Sequence, residues 1–218
     1  MTVYLVPGLA NDKRIFKNLI DQLKDYKIVV LEHIPHESSN ESIKDYAIRL
    51  IRHQEYFDVD SIIVGMSLGG LIAIEMAKII HFKKVVLIST IKHKSELPLL
   101  IRLASVFNIQ IPAFLIKKSI RSVAILLGVT SRNEADYMSK MINDSNENHI
   151  IWAQKAASDW DNILIPNNYI HIHGTRDEIF PINCVKPSHV IKGGTHYMIM
   201  DRAEEIANII KSEIKQSF

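Results

Sequence analysis

The chain has 218 residues, enough for one domain with a substantial buried core. Hydrophobic residues make up 47% and charged residues 23%, and 26 basic against 24 acidic residues leave a formal net charge of +2. So small a charge, with no basic run interleaved with aromatic residues, gives no case for a nucleic-acid partner. The single cysteine, Cys184, excludes an internal disulfide.

The apolar stretches of the chain indicate whether it is secreted or spans a membrane. Residues 1–7 lack a basic region, and their apolar stretch is too short for a signal peptide. The longest candidate for a membrane span, residues 97–116, is interrupted by Arg102 and two prolines, so it is not an uncharged apolar run of the roughly 20 residues required. We therefore expect a cytoplasmic protein with no transmembrane segment.

Strand and helix patterns alternate through residues 1–90. The predicted strands, short and rich in β-branched residues, span 2–6, 27–31, 61–64 and 84–89. Apolar residues at helical spacing predict a helix between each pair of strands; Asn11 or Asp12 can cap the first and Asn40 the second. This alternation predicts a parallel sheet covered by helices on both faces.

The alternation stops between residues 91 and 165. The four helices predicted there span 97–107, 112–127, 132–143 and 148–158. A helical insertion in a parallel α/β chain usually covers a site, although it can also simply complete the core. We interpret residues 91–165 as a helical cap and residues 1–90 and 166–218 as the core domain.

The strand pattern resumes at residues 168–173, and a short strand is predicted at 189–191. A closing helix follows, with Asp201 as its predicted cap and Glu204 as the partner of that cap. Its apolar residues recur at helical spacing and predict a buried face.

The hexapeptide GMSLGG at residues 65–70 joins a predicted strand to a predicted helix. It contains the G-x-S-x-G pattern of a nucleophile elbow, a sharp turn that presents a serine above the carboxyl edge of a sheet. Small residues at 65 and 69 allow strand and helix to approach closely. The pattern makes Ser67 a candidate nucleophile.

Two further candidates follow later strands. Asp177 comes after the strand at 168–173, and His196 comes after the strand at 189–191. Because the carboxyl ends of parallel strands lie at one edge of a sheet, Ser67, Asp177 and His196 can converge there.

The chain resembles a small member of the α/β-hydrolase superfamily. The resemblance rests on four places in order: the Pro-Gly turn at 7–8, the hexapeptide at 65–70, the HGxxDxxxP stretch at 173–181, and the His196 turn. It implies an α/β-hydrolase fold of about six parallel strands flanked by helices, with the cap inserted after the fourth strand. The chain departs from many members in lacking an N-terminal antiparallel hairpin and in having Met66 where His or Tyr is commoner.

The resemblance also implies catalytic roles. Ser67 would be the nucleophile and His196 the general base, since an imidazole can exchange a proton near neutral pH. Asp177 would orient His196. The backbone N–H of Leu68 would be one oxyanion donor, and the loop after the first strand would supply the other, from Leu9 or, as the close alternative, from Ala10.

Other polar residues are weaker candidates. Asp159 and Asp161 are rival acids, but they precede a predicted strand instead of following one. His171 and His173 share one strand face, so a metal pair is conceivable, although packing and hydrogen bonding at the strand's end are favoured.

Five residues are given structural interpretations. We interpret His33 and His36 as solvated or rim residues, Trp152 and Trp160 as anchors of the insertion, and Cys184 as a small core residue.

The insertion is notably apolar. Its apolar residues include Leu97, Leu100, Ile101, Leu103, Phe107, Ile109, Phe114, Leu115 and Leu126. They could line an acyl pocket or form the cap's own core. Lys117, Lys118 and Arg121 form a basic cluster that could bind an acidic metabolite, although a solvated helix face is favoured.

The leading hypothesis is a serine hydrolase acting on a small or medium carboxylic ester or thioester through an acyl-enzyme. It needs no cofactor and no metal ion, and its partner is a small-molecule substrate; no oligomeric state is predicted. Activity is expected to rise as His196 loses its proton. The alternatives are a lyase or perhydrolase of the same fold, and a catalytically silent binding module.

Overall fold

A parallel sheet of six strands forms the centre of the computed structural model, which describes residues 1–129 and 131–215. The strands are β1 (Thr2–Val6), β2 (Lys27–Val30), β3 (Ser61–Met66), β4 (Lys84–Ile88), β5 (Tyr169–Gly174) and β6 (His189–Ile191). Their order in the sheet is β2-β1-β3-β4-β5-β6, and every neighbouring pair is parallel. The predicted α/β architecture with about six parallel strands is therefore confirmed.

Helices cover both faces of this sheet. They are α1 (Lys17–Gln22), α2 (Ile43–His53), α3 (Leu68–Ala77), α4 (Leu99–Val106), α5 (Ala113–Lys118), α6 (Ile120–Leu127), α7 (Arg132–Asp144), α8 (Glu147–Ser158), α9 (Met198–Asp201) and α10 (Ala203–Lys215). Short 3₁₀ turns lie at Lys13–Phe16 and Lys94–Glu96. Within the described residues, no helix is long and apolar enough to cross a bilayer.

Alternate side chains of the strands enter two separate cores. In β1, Val3 and Leu5 pack with residues of α1 and α10, whereas Tyr4 and Val6 pack with residues of α2 and α3. This is the two-residue period of a strand that is buried on both faces. The carboxyl ends of the strands are thereby held at one edge between two helical layers.

The start of α2 differs from the prediction. Its cap is Ser42, whose Oγ accepts a hydrogen bond from the N–H of Asp45 at 3.1 Å, and not Asn40. The first cap was predicted as Asn11 or Asp12, and Asp12 is the residue that caps the turn at Lys13–Phe16.

Two other helix predictions are wrong in detail. The helix predicted over 112–127 is two helices, since Ser119 leaves helical geometry with φ −102° and ψ 30°. Asp201 does not cap the closing helix but ends α9, because the chain after His196 coils into a helix earlier than its pattern indicated. The predicted apolar face of α10 is buried.

The insertion between β4 and β5 contains α4 to α8 and no strand among its described residues. Trp152 donates its indole N–H to Glu41 O at 2.9 Å, and Trp160 donates to Glu75 Oε1 at 2.9 Å. Both tryptophans therefore anchor the insertion to the body, as predicted. Thr130 of the predicted cap and residues 216–218 of the predicted core domain lie outside the described residues.

Candidate active site

Ser67 lies in the sharp turn between β3 and α3. Its φ of 52° and ψ of −122° belong to a region that side-chain-bearing residues rarely adopt. Its N–H donates to Ile88 O at 3.0 Å, and the hydroxyl of Thr90 donates to its carbonyl at 2.7 Å. The end of β4 thus holds Ser67 in this strained conformation.

Glycines allow the close packing around this turn. A Cβ on Gly65 would lie 2.2 Å from Gly69 O, and one on Gly69 would lie 2.1 Å from Val6 O. No side chain fits at such distances, so both positions require glycine if α3 is to start directly above β1 and β3.

The structure brings Ser67, His196 and Asp177 together. His196 Nε2 lies 3.1 Å from Ser67 Oγ, and His196 Nδ1 lies 2.9 Å from Asp177 Oδ2. The three residues follow the carboxyl ends of β3, β6 and β5. Asp177 and His196 are buried, while Ser67 is partly exposed.

The surroundings of Asp177 favour its ionised form. Its Oδ1 accepts hydrogen bonds from the N–H groups of Ile179 and Phe180, each at 2.9 Å. Burial raises the pKa of Asp177, but the adjacent His196 and the hydrogen bonds from His196 and Phe180 outweigh burial and lower it below its usual value. An ionised carboxylate only accepts hydrogen bonds, so His196 Nδ1 carries the proton and Nε2 is free to accept the hydroxyl proton of Ser67.

His171 and His173 form a buried pair behind Asp177. The Nε2 of His173 lies 2.8 Å from Phe180 O, an acceptor, so this nitrogen carries the proton. Its Nδ1 then accepts from His171 Nε2 at 3.2 Å. This agrees with the favoured interpretation of packing and hydrogen bonding. Since His173 also approaches Asp177 Oδ2 at 3.4 Å, it supports the loop that carries the acid.

The predicted oxyanion donors lie at the start of α3 and in the loop after β1. Within the described residues, neither the Leu68 N–H nor the Leu9 N–H donates to a protein acceptor. Ala10 has a positive φ of 56°, and Asn11 Nδ2 donates to Leu9 O at 3.0 Å. The loop is therefore folded back on itself next to the Ser67 turn.

His33 has a role that the sequence interpretation missed. Its Nε2 lies 3.0 Å from Gly8 O and its Nδ1 lies 3.2 Å from the hydroxyl of Tyr46. His33 is partly exposed, as a rim residue would be, but its ring also holds the loop that carries Leu9. Burial lowers its pKa. The sequence feature that points to this role is the position of His33 after β2, because β2 neighbours β1 in the sheet.

The rival acids lie elsewhere. Asp159 pairs with Lys155 at 2.6 Å and accepts from Ser105 at 2.8 Å. Asp159 and Asp161 both line a cavity of about 480 Å³ by the ends of α2 and α8, whose lining includes none of the three candidate residues. Cys184 is partly exposed, so its interpretation as a core residue is wrong.

We compared the chain with known families, curated proteins and solved structures. No family model and no curated protein matches it. Many solved structures match it in fold. A lipase-esterase related protein from Clostridium acetobutylicum is 19% identical, with a TM-score of 0.71 over 97% of this chain and 93% of that one.

Two other solved structures are similarly close in fold. MenH from S. aureus is 16% identical, with a TM-score of 0.75 over 100% of this chain and 94% of its own. A hydrolase from Oleispira antarctica is 14% identical, with a TM-score of 0.76 over 98% and 90%. The chain has the α/β-hydrolase fold.

In this α/β-hydrolase fold the sheet lacks an N-terminal antiparallel hairpin, since β1 pairs only with the parallel strands β2 and β3 within the described residues. The insertion follows β4, as expected. Identities below one fifth establish the fold alone, so the reaction has to be argued from the side chains.

Proposed function

We propose that this protein is a serine hydrolase that cleaves a small or medium carboxylic ester or thioester through an acyl-enzyme. The observation that carries the proposal is the hydrogen-bonded series from Ser67 Oγ through both ring nitrogens of His196 to Asp177, with separations of 3.1 and 2.9 Å. Ser67 at one end of this series lies in a strained turn, and Asp177 at the other end is buried and ionised. Acyl-enzyme chemistry requires both features.

In the proposed reaction, His196 Nε2 removes the hydroxyl proton of Ser67 as Oγ attacks the carbonyl carbon of the substrate. The negative charge moves to the carbonyl oxygen of a tetrahedral intermediate. The intermediate collapses when the bond to the leaving group breaks and His196 gives its proton to that group. Water then repeats the sequence on the acyl-enzyme, which releases the acid and restores Ser67.

The backbone N–H groups of Leu68 and Leu9 are the proposed donors to the developing oxyanion. Both lack a protein acceptor within the described residues, so they are available to a ligand. A preorganised donor of this kind is worth about 3–4 kcal/mol of transition-state stabilisation. His33 and the side chain of Asn11 would act as positioning residues, because they hold the loop that carries Leu9.

We also propose that residues 91–165 act as the cap of this site. The turn that carries His196 contacts the insertion directly, because Tyr197 N–H donates to Leu127 O at 3.2 Å. A Cβ on Gly128 would lie 2.3 Å from Thr195 Cβ, which shows how closely the two segments approach.

The basic cluster gives little support to an alternative lyase acting on an acidic metabolite. Lys117 already donates to Asn143 O and Ser145 O and lies 3.5 Å from Glu147. Lys118 and Arg121 are exposed. No observation therefore favours the lyase or perhydrolase over the ester hydrolase.

The test is covalent labelling with a fluorophosphonate probe, read by peptide mass spectrometry. We expect modification at Ser67 and none in Ser67→Ala. Ser95 is a matched control, because its Oγ also lies close to a histidine, 2.7 Å from His93 Nδ1. Unlike His196, His93 has no buried carboxylate as its partner in the described structure. Ser95 should remain unlabelled.

A series of p-nitrophenyl esters of increasing acyl length then tests the reaction itself. Labelling at Ser67 together with ester turnover that is lost in Ser67→Ala supports the proposal. Labelling without turnover of any ester or thioester would overturn the reaction class. A folded protein that is not labelled would contradict an activated serine and favour the binding-module hypothesis.

A further inference from the structure

The first part of the insertion exposes many large apolar side chains. Of the eighteen exposed large hydrophobic residues in the described chain, eleven lie between Leu97 and Gly128. Leu100 is 80% exposed, Val106 76% and Phe107 69%. We call residues 97–128, which contain α4, α5 and α6, the apolar segment. Most of its large apolar side chains are exposed and do not pack into either core.

The charges of the apolar segment all have one sign. It contains Arg102, Lys117, Lys118 and Arg121 and no aspartate or glutamate. The remainder of the chain has 22 basic and 24 acidic residues and so carries a formal charge of −2. Arg102, Lys118 and Arg121 are exposed and, in the part of the chain that the structure describes, form no ion pair.

These cations alternate with the apolar side chains along the helices. In α5, Phe114 and Lys118 are four residues apart and both are exposed; in α6, Arg121 and Ile125 have the same relation. Residues four apart lie on one side of a helix. Each outward side therefore presents apolar groups and positive charge together, and binding to an anionic bilayer is strengthened both by buried apolar area and by Lys or Arg near the lipid headgroups.

The charge pattern also argues against a second copy of the chain as the occupant. Two such surfaces brought face to face would oppose three exposed cations with three others, and like charges at an interface are unfavourable. An anionic lipid surface supplies both an apolar phase for the exposed side chains and a counter-charge for every cation.

We propose that the apolar segment docks the protein onto the surface of a bilayer that contains anionic lipids. Docking involves no covalent step and does not depend on the reaction proposed for Ser67. It would place α4, α5 and α6 at the boundary between headgroups and acyl chains.

The test is cosedimentation with vesicles, using the full chain. Vesicles of phosphatidylcholine with phosphatidylglycerol should bind the protein, whereas phosphatidylcholine alone should bind it weakly and added salt should release it. Ser67→Ala should bind like the wild type, so binding and catalysis can be judged separately.

Paired variants localise the contact. Val106→Asp should lower the partition coefficient by at least about fivefold, while Val59→Asp, at a valine that is 85% exposed outside the segment, should change it by less than about twofold. Arg121→Gln should weaken binding about fivefold, and Arg52→Gln, at an exposed arginine of α2, should have little effect. Circular dichroism confirms that each variant is folded.

Three outcomes would overturn the proposal. The first is a folded protein that does not sediment with anionic vesicles. The second is equal binding to neutral vesicles. The third is a dimer in the absence of lipid that Val106→Asp dissociates, since the occupant would then be a second copy.

Discussion

The carboxylate of Asp177 receives hydrogen bonds from three donors. His196 Nδ1 donates to Oδ2, and the N–H groups of Ile179 and Phe180 donate to Oδ1. This arrangement keeps the acid ionised in a buried position and selects the tautomer of His196 that can accept a proton from Ser67. The proposed reaction would therefore depend on a negative charge at residue 177 as well as on the shape of that side chain.

Asp177→Asn should lower the rate of ester hydrolysis by about 10⁴-fold while the protein stays folded. The amide has nearly the same shape but removes the charge, and its NH₂ group favours the tautomer of His196 that cannot act as base. Ester hydrolysis and circular dichroism check both parts. Asp161→Asn, at the exposed rival acid, should retain full activity; loss of activity there would contradict the assignment of Asp177.

The buried His171 makes stability depend on pH. Burial lowers the pKa of His171 to about 3, and the neighbouring His173 and Lys92 contribute to the shift. In the unfolded chain a histidine titrates near about 6.5, so between these values the unfolded state binds one proton more. The folded state is then favoured at higher pH, and this contribution is lost as the pH falls from 6.5 toward 3.

His171→Gln should therefore reduce the dependence of the unfolding free energy on pH by about 1.4 kcal/mol per pH unit below pH 6. Urea titrations at several pH values between 7 and 5 measure this slope. The matched control is His53→Gln, the same substitution at an exposed histidine of α2. An unchanged slope in His171→Gln would show that His171 is not held neutral.

At the scale of elements, the cap of α2 is Ser42, whereas the sequence predicted Asn40. Ser42 Oγ accepts from Asp45 N–H and Ser42 also hydrogen-bonds the Asp45 carboxylate at 2.7 Å. Asn40, two residues earlier, makes no such bond in the described structure. Both residues are good caps by type, so only the position at which the chain turns into the helix decides between them.

Ser42→Ala should lower the unfolding free energy by about 1 kcal/mol, because one N–H at the start of α2 loses its acceptor. Asn40→Ala should change it by less than about 0.5 kcal/mol, as expected for a surface position without a structural role. Chemical denaturation of the two variants measures the difference. Equal destabilisation by both would contradict the assigned cap.

The sequence predicts most of the elements and the three residues at the strand ends. Ser67, Asp177 and His196 could be recognised because each follows a strand with a clear pattern, and parallel strands end at one edge. The partners of His33 and His173 could not be predicted, since these rings bond to the backbone oxygens of Gly8 and Phe180, which no side-chain pattern marks. The break at Ser119 lacks a glycine or proline that would have signalled it.

The direction of the apolar side chains in the insertion was also not predictable. Of the nine expected to line an acyl pocket or form the cap's core, Leu97 is buried and Ile101 partly buried. The other seven are exposed. Composition shows how apolar a segment is, but which of its side chains become buried depends on the neighbouring helices against which it packs. The buried residues of the insertion instead include Met138, Met141 and Trp152.

At the scale of the whole molecule, the insertion belongs to both cores. Met138 and Met141 of α7 join the core on one face of the sheet, while Trp152 and Ala153 of α8 join the core on the other. Removing the insertion would therefore uncover apolar surface on both faces. Segments that share their cores in this way unfold together.

Fluorescence and far-ultraviolet circular dichroism should therefore give coincident urea denaturation curves. Trp152 and Trp160 both lie where the insertion meets the body, so fluorescence reports that contact, whereas circular dichroism reports all helices and strands. Coincidence is the signature of a two-state transition. A fluorescence change at lower urea than the change in circular dichroism would show that the insertion detaches first.

The order of the strands has a consequence for biosynthesis. The chain completes β1 to β4 and the strained serine turn by residue 88, but β5 and β6 come only after the insertion. Until then the edge of β4 that will pair with β5 is open, and such an edge attracts other chains. The proposed nucleophile is thus made early and its proposed base last, so a nascent chain that stops within the insertion carries Ser67 without the histidine that would activate it.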